Sequence, residues 1–277
     1  MKLGGPVLYE YDDPESWAKA VNDSGYKAAN CPVDLEADKK EIEEYAAIAE
    51  KENIIIAECG VWNNPLIEDE SKRKKALKKC KQTLQLADQI GAKCCVNIAG
   101  SRGNKWDGPH PDNLTSETFD MIVQIVREII DEVRPENTYY SLEPMPWIYP
   151  DSADSYLELI AAIDRKRFAV HLDPVNIVKS PDIYFNNTSF LKNCFAKLGK
   201  YIKSCHAKDT LLKNELTVYL KEVRPGKGNL DYSTFLKELD KLDEDIPLMI
   251  EHLSSDNEYK RARDYIKNVA RKENIKL

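Results

Sequence analysis

Short apolar runs alternate with amphipathic stretches along the whole chain. The runs fall at 4–9, 26–33, 54–59, 94–99, 139–143, 168–173, 202–206 and 248–251. They are short and rich in Ile, Val, Ala and Cys, as strands buried on both faces should be. Between them, 14–23, 38–52, 71–90, 116–133, 152–163, 189–198, 232–242 and 257–272 carry helical spacing. In 38–52, for instance, Ile42, Tyr45, Ala46, Ile48 and Ala49 recur at the interval of one helix face. Thr115 and Asp231 stand where N-caps belong, and Gly91 where a helix stop belongs. This alternation predicts an α/β fold, a single (β/α)8 TIM barrel, as one catalytic domain over 1–277. An open doubly wound sheet is the alternative. It would want a glycine-rich phosphate loop after the first strand, and no GxGxxG is present.

Two connections are long for turns. Residues 100–114 follow the fourth strand and 210–230 the seventh, so both belong to the face where barrel enzymes carry their active sites. Long loops there predict lids or binding loops.

Composition narrows the function classes. The net charge of −7 opposes a nucleic-acid surface, and no apolar run is long enough for a membrane span. The opening MKLGGPVLYEYDD lacks the apolar stretch of a signal peptide. The seven cysteines are odd in number and match no zinc-ribbon spacing, so they read as buried, reduced thiols. The expectation is a cytoplasmic protein acting on a small molecule, with self-association left open.

The candidate chemistry lies at strand ends. Glu143 closes YYSLE, Asp173 closes FAVHLD, His206 closes IKSCH and Glu251 closes LMIE. One carboxylate at a strand end is more often a cap or an ion-pair partner. Three carboxylates and an imidazole on four successive strands would converge at the barrel mouth. Such an oxygen-rich set suits one divalent ion, Mn²⁺ or Mg²⁺ before Co²⁺ or Zn²⁺. Open positions on that ion would let a carbonyl and a neighbouring hydroxyl chelate, with the metal acting as Lewis acid.

The segments LEPMPW, VHLDPVN, SCHAKD with the later RPGKGNLDY, and MIEHL resemble the sugar isomerase/epimerase barrels of the xylose-isomerase-like superfamily. The resemblance runs from YKAANCP to MIEHL. It implies a divalent-metal-dependent carbohydrate isomerase or epimerase with manganese held by Glu143, Asp173, His206 and Glu251. It also implies that Glu143 and Glu251 exchange protons with opposite faces of the substrate carbon through a metal-stabilised enediolate. Two departures stand out. Asn176 occupies the place of a substrate-contacting histidine. Arg224 is the candidate for a substrate arginine, separated from the seventh strand by the long 210–223 segment.

Other residues are expected around the substrate. His171 precedes Asp173 by two and shares its strand face, one layer below; a buried core histidine is the bland alternative. Asp209 is expected to orient a ligand or bind a sugar hydroxyl, against a loop salt bridge. Lys208 lies beside it, and His252 should point away from Glu251. Trp62, Trp106 and Trp147 follow strands three to five and predict an apolar wall for a sugar ring. Glu58 ends the third strand as a candidate for a substrate hydroxyl, Arg102 and His110 are candidates for a distal hydroxyl, carboxylate or phosphate, and Gly226-Lys227-Gly228 for anion binding through backbone amides.

Two further enzyme classes compete. A lyase or dehydratase on a keto-sugar or inositol derivative would use the same site. A phosphodiester hydrolase of the apurinic endonuclease type would want more histidines than the four present and a less acidic chain. A sugar-binding barrel without turnover is the non-enzymatic reading.

Overall fold

Eight parallel strands close on themselves in the computed structural model, which describes residues 1–277. In order around the barrel they are β1 (Lys2–Gly4), β2 (Ala28–Asn30), β3 (Ile55–Gly60), β4 (Cys94–Asn97), β5 (Tyr139–Leu142), β6 (Phe168–Leu172), β7 (Ile202–Ala207) and β10 (Pro247–Ile250). The two strands numbered between, β8 (Asp209–Leu212) and β9 (Leu220–Val223), form a separate antiparallel hairpin. The outer ring holds α1 (Pro14–Asp23), α2 (Lys39–Lys51), α3 (Glu70–Ile90), α4 (Ser116–Val133) and α5 (Ala153–Ile163). The short α6 (Pro174–Ile177) and α7 (Pro181–Phe185) follow β6. The ring closes with α8 (Asn187–Leu198), α9 (Tyr232–Asp240) and α10 (Asp256–Lys272). No helix is long and apolar enough to cross a membrane.

Local chemistry sets the helix boundaries. Thr115 Oγ1 accepts the Thr118 N–H, Asp231 Oδ1 accepts the Thr234 N–H, and Gly91 ends α3 at φ 76°. The main core lies between strands and helices and includes Trp17, Tyr140, Tyr156, Phe195 and Phe235. All seven cysteines are free, and six of them are buried.

Three elements depart from the sequence pattern. The first strand is Lys2–Gly4, ahead of the apolar residues expected to carry it. Pro6 has no N–H for a ladder, so pairing stops before it. The second strand keeps only Ala28–Asn30 of its expected span. The connection after β7 is the β8–β9 hairpin rather than irregular loop, with Asp209 opposite Val223 and Leu212 opposite Leu220.

Two register shifts decide which side chains enter the barrel. Ala29 pairs with Ile56 but Asn30 with Glu58, so Ala57 of β3 is skipped. Val170 pairs with Ile202 but His171 with Ser204, so Lys203 of β7 is skipped. A skipped residue reverses the in–out alternation beyond it. Ala57 packs inside with Ala28 and Met249, whereas Ile56 and Cys59 belong to the outer core. Glu58 is thereby turned inward, as are Ser204 and His206 on β7.

Candidate functional site

The inward positions at the carboxyl ends of β3, β5, β6, β7 and β10 are almost all ionisable. Glu58, Glu143, His171, Asp173, His206 and Lys208 are buried, and Glu251 closes the ring with its side chain 18% exposed. Glu143, Asp173, His206 and Glu251 each place one donor atom within 4.8 Å of the others. His206 Nδ1 stands 2.8 Å from Glu251 Oε1, 3.2 Å from Glu143 Oε1 and 3.7 Å from Asp173 Oδ2.

Lys208 shares this cage. Its Nζ lies 2.7 Å from Asp173 Oδ2, 2.5 Å from Glu251 Oε1, 3.3 Å from Glu143 Oε1 and 3.8 Å from Glu222 Oε2. Its place follows from spacing, because Lys208 lies just past the end of β7, two residues after His206, and continues its inward face.

Charge explains the protonation of the cluster. Burial disfavours ionised Asp173, but Lys208 and His206 outweigh it and hold the carboxyl far below its usual range. Burial likewise opposes ionised Glu251, yet His206 and Lys208 bring it down to about 2. For Glu143 burial prevails over Lys208 and His206 and raises the pKa. His206 is raised well above an ordinary histidine because Glu251, Glu58 and Glu143 overcome its own burial. His171 is pushed down to about 3 by burial and by His206, and stays neutral.

The donor set fits a divalent cation. For bonds of about 2.1 Å, the ligand atoms of a six-coordinate ion lie roughly 3.0 or 4.2 Å apart, and His206 Nδ1 stands 2.8, 3.2 and 3.7 Å from the three carboxylate oxygens, near that spacing. Asp173 Oδ2 and Glu251 Oε1 are buried yet make no hydrogen bond of good geometry, only close approaches to cations. Glu143, Asp173, Glu222 and Glu251 surround the Lys208 ammonium, and Glu58 adds a fifth carboxylate against His206, so five carboxylates face two cationic side chains. That surplus of negative charge suits a divalent ion.

A cavity of about 550 Å³ opens above the cage. Trp62, Trp106, Trp147, Met145 and Ile98 form its apolar part, and Asn30, Lys105, Asp107, Asn176, Glu222 and His252 its polar part. Trp62 has φ 48°, and a Cβ on Gly60 would sit 2.1 Å from its Nε1. The indole therefore lies against β3 because residue 60 has no side chain. Trp147 Nε1–H donates to the Asp107 carbonyl at 2.8 Å and ties the loops after β4 and β5 together.

Of the residues expected to contact substrate, Glu58, Trp62, Trp106, Trp147 and Asn176 line this cavity. The Asn176 amide donates to Glu143 Oε1 at 3.0 Å, so it orients that carboxylate. His110, His171, Asp209 and Arg224 do not line it. His110 accepts the Asp112 N–H at 3.3 Å and caps the short helical turn Pro111–Leu114. His171 lies beneath the cage, as its strand position implied, and is sealed from solvent. Arg224 Nε–H bonds Glu258 Oε2 at 2.9 Å on α10.

Asp209 is wholly engaged with backbone. Its Oδ1 accepts the N–H groups of Thr210 and Leu230 at 2.8 and 3.0 Å, and its Oδ2 those of Gly226 and Gly228, both at 2.9 Å. Two of these amides belong to the glycine loop expected to bind an anion, so this carboxylate already serves as the anion. His252 does face the cavity, against expectation. Its φ of 57° breaks the strand alternation, and its Nδ1 lies 3.2 Å from Glu222 Oε1. Glu222 arrives from β9, an element absent from the sequence pattern.

Comparison with known proteins follows the same lines. Among solved structures, the chain resembles a xylose isomerase-like TIM barrel protein from Mycobacterium smegmatis in complex with magnesium. The TM-score is 0.68 and the identity 18%, over 95% of this chain and 90% of that one. It resembles the probable 3-DHS dehydratase of Bacillus anthracis with TM-score 0.72 and 16% identity, over 98% and 99%. It resembles D-psicose 3-epimerase of Clostridium cellulolyticum H10 with TM-score 0.68 and 15% identity, over 97% and 99%. At these identities the likeness is one of fold. No curated protein matches the sequence. The model of the xylose isomerase-like TIM barrel family matches residues 18–269, and the chain belongs to that family.

Proposed function

We propose that this protein is a divalent-metal-dependent epimerase or isomerase of an unphosphorylated keto-sugar or keto-glycoside. The observation that carries the reading is the cage of Glu143, Asp173, His206 and Glu251 at the floor of a tryptophan-walled cavity. These four residues would hold the ion, with Mn²⁺ or Mg²⁺ favoured by the oxygen-rich set. The bound ion supplies Lewis-acid polarisation of the substrate carbonyl, which acidifies the adjacent C–H.

The chain's own residues do the rest. Glu143 and Glu251 act at that carbon as base and acid, because inversion needs a proton removed from one face and another delivered to the opposite face, and one fixed carboxylate serves only one face. Asn176 holds Glu143 Oε1 in place, and Lys208 draws the carboxylates together. Trp62, Trp106 and Trp147 offer the apolar surface on which a sugar ring stacks.

The charge of the cavity supports a neutral substrate. Glu58, Asp107, Glu143, Glu222 and Glu251 line it, against Lys105, Lys208 and His252. Lys208 is already paired with carboxylates, and Arg102 and Arg224 are turned to Glu68, Glu117 and Glu258. A phosphate would meet no free fixed cation here.

The test is incubation of Mn²⁺-loaded protein in D₂O with ketoses, keto-glycosides and sugar phosphates. Deuterium at one carbon of a neutral sugar, with conserved mass otherwise, is the expected result. No exchange on any sugar, or exchange on phosphates alone, would refute the reading. The lyase reading is favoured by one observation, the Lys208 ammonium in the cage, which could protonate a departing hydroxyl; its product would carry a new unsaturation.

A further inference from the structure

Glu58 enters the barrel only because β3 skips a pairing residue. With strict alternation it would point outward, opposite to the inward Ala57; instead it is buried inside, 6% exposed. There it meets two histidines. Its Oε1 is 3.4 Å from His206 Nε2, and its Oε2 is 3.5 Å from His171 Nδ1. The two imidazoles pack edge to face with centroids 4.0 Å apart. Neither ring nitrogen of His171 has a hydrogen-bond partner of good geometry, and neither has Glu58 Oε2. Nothing in the proposed reaction uses Glu58 or His171.

The geometry points to Glu58 as a positioning residue that selects the ring tautomer of His206, with His171 steadying its second oxygen. The inference rests on the reading of the four-residue cage as a metal site. A neutral imidazole carries one proton; the nitrogen that holds it donates, and the other offers a lone pair. His206 turns Nδ1 toward Glu143, Asp173 and Glu251, so a cation there needs the Nδ1 lone pair. The proton must then sit on Nε2, where Glu58 Oε1 is the acceptor. Without that acceptor the remaining Nε2 proton would be buried with no partner, and nothing would hold the ring with Nδ1 toward the cage. A carboxylate behind a ligating histidine also fixes the ring's rotation. The β-bulge is the device that delivers it, since bulges re-aim side chains beside active sites. His171 fills the space below and keeps the carboxylate from swinging away from Nε2.

Mn²⁺ titration of the full chain, followed by the electron paramagnetic resonance of free Mn²⁺, tests this without any substrate. Glu58→Leu should weaken Mn²⁺ binding about 10–100-fold, the usual cost of losing such a partner. Glu58→Gln keeps an oxygen that accepts the Nε2 proton. It should stay within about fivefold of the parent, the difference between a charged and a neutral acceptor. His171→Phe should weaken binding by less than Glu58→Leu. Nitrogen-15 spectra of the Mg²⁺-loaded protein should show His206 protonated on Nε2 in the parent and in Glu58→Gln. Equal losses in the Gln and Leu variants would assign the effect to charge and overturn the inference. So would parent-like binding in Glu58→Leu, or an Nδ1 proton in the loaded parent. If Glu58→Leu fails to fold, the Gln variant and the nitrogen spectra still decide. A parent that binds neither ion would instead strike down the metal reading itself.

Discussion

Asp173 and Asp209 are both almost wholly buried, on neighbouring turns of the same barrel mouth, and their surroundings differ completely. Asp209 accepts four backbone N–H groups, two on each oxygen. Asp173 accepts two, from Val175 and Asn176, both on Oδ1, where it caps α6. Its Oδ2 points into the cage and meets only the cations of Lys208 and His206. A carboxylate saturated by amides has no lone pair to offer a ligand and serves to tie a loop. One held by half of itself keeps the other half available. Burial and residue type are the same in both; the number of amides that reach the oxygens separates structure from chemistry.

The sharpest way to break this comparison is at Asp173. Asp173→Asn should weaken Mn²⁺ binding by more than the 10–100-fold typical of an outer partner, and should abolish the rise in melting temperature that Mn²⁺ gives the parent. The metal-free variant should also melt below the parent, because Lys208 and His206 lose a buried counter-charge even though the helix-capping oxygen survives. Calorimetric titration with unchanged Mn²⁺ affinity would remove Asp173 from the ligand set.

Next in size is the proton chemistry. Glu143→Gln and Glu251→Gln should each lower turnover by roughly two orders of magnitude or more on the true substrate. Deuterium exchange at the reacting carbon should fall in step. Near-normal turnover in either variant with metal bound would leave a one-base reaction.

Asp209→Asn sharpens the other side. The amide offers one oxygen where the carboxylate offers two, so amides of the glycine loop lose their acceptor. A stability loss of about 2 kcal/mol follows from leaving such groups unpaired, or roughly 4–8 °C in melting temperature. Mn²⁺ affinity should stay close to the parent's. A variant that melts normally but loses the metal would reverse the roles given to the two aspartates.

The smallest effect is expected at the wall. Trp62→Ala should raise KM about three- to tenfold, the scale of one aromatic contact, with Mn²⁺ affinity unchanged. Unaltered kinetics would take Trp62 out of the binding surface.

How far the sequence reached can be followed residue by residue. The strand-ending Glu143, Asp173, His206 and Glu251 were legible because each closes an apolar run, and a closed barrel brings such ends together. Lys208 was within reach through its spacing from His206. Glu58 was seen at the end of its strand as a candidate for a substrate hydroxyl and does line the cavity; its approach to His206 was not foreseen, because nothing in IIAEC announces that Ala57 is skipped. The hairpin was missed because DTLL and LKEV pair only with each other and carry no strong apolar signal. His252 was misplaced because its backbone turn is not written in the strand pattern.

The sequence by itself determined the strand–helix alternation, the caps that bound the helices and the kinds of side chain at the barrel mouth. These depend on neighbours within a few residues, where hydrophobic periodicity and local hydrogen bonding act. Only the tertiary structure decided which buried groups remain open. Whether Asp209 is quenched depends on amides as much as 21 residues away. Whether Glu58 faces His206 depends on the register between β2 and β3. Those pairings are made across the barrel, where the balance of burial, charge and hydrogen bonding is settled by partners distant in the chain.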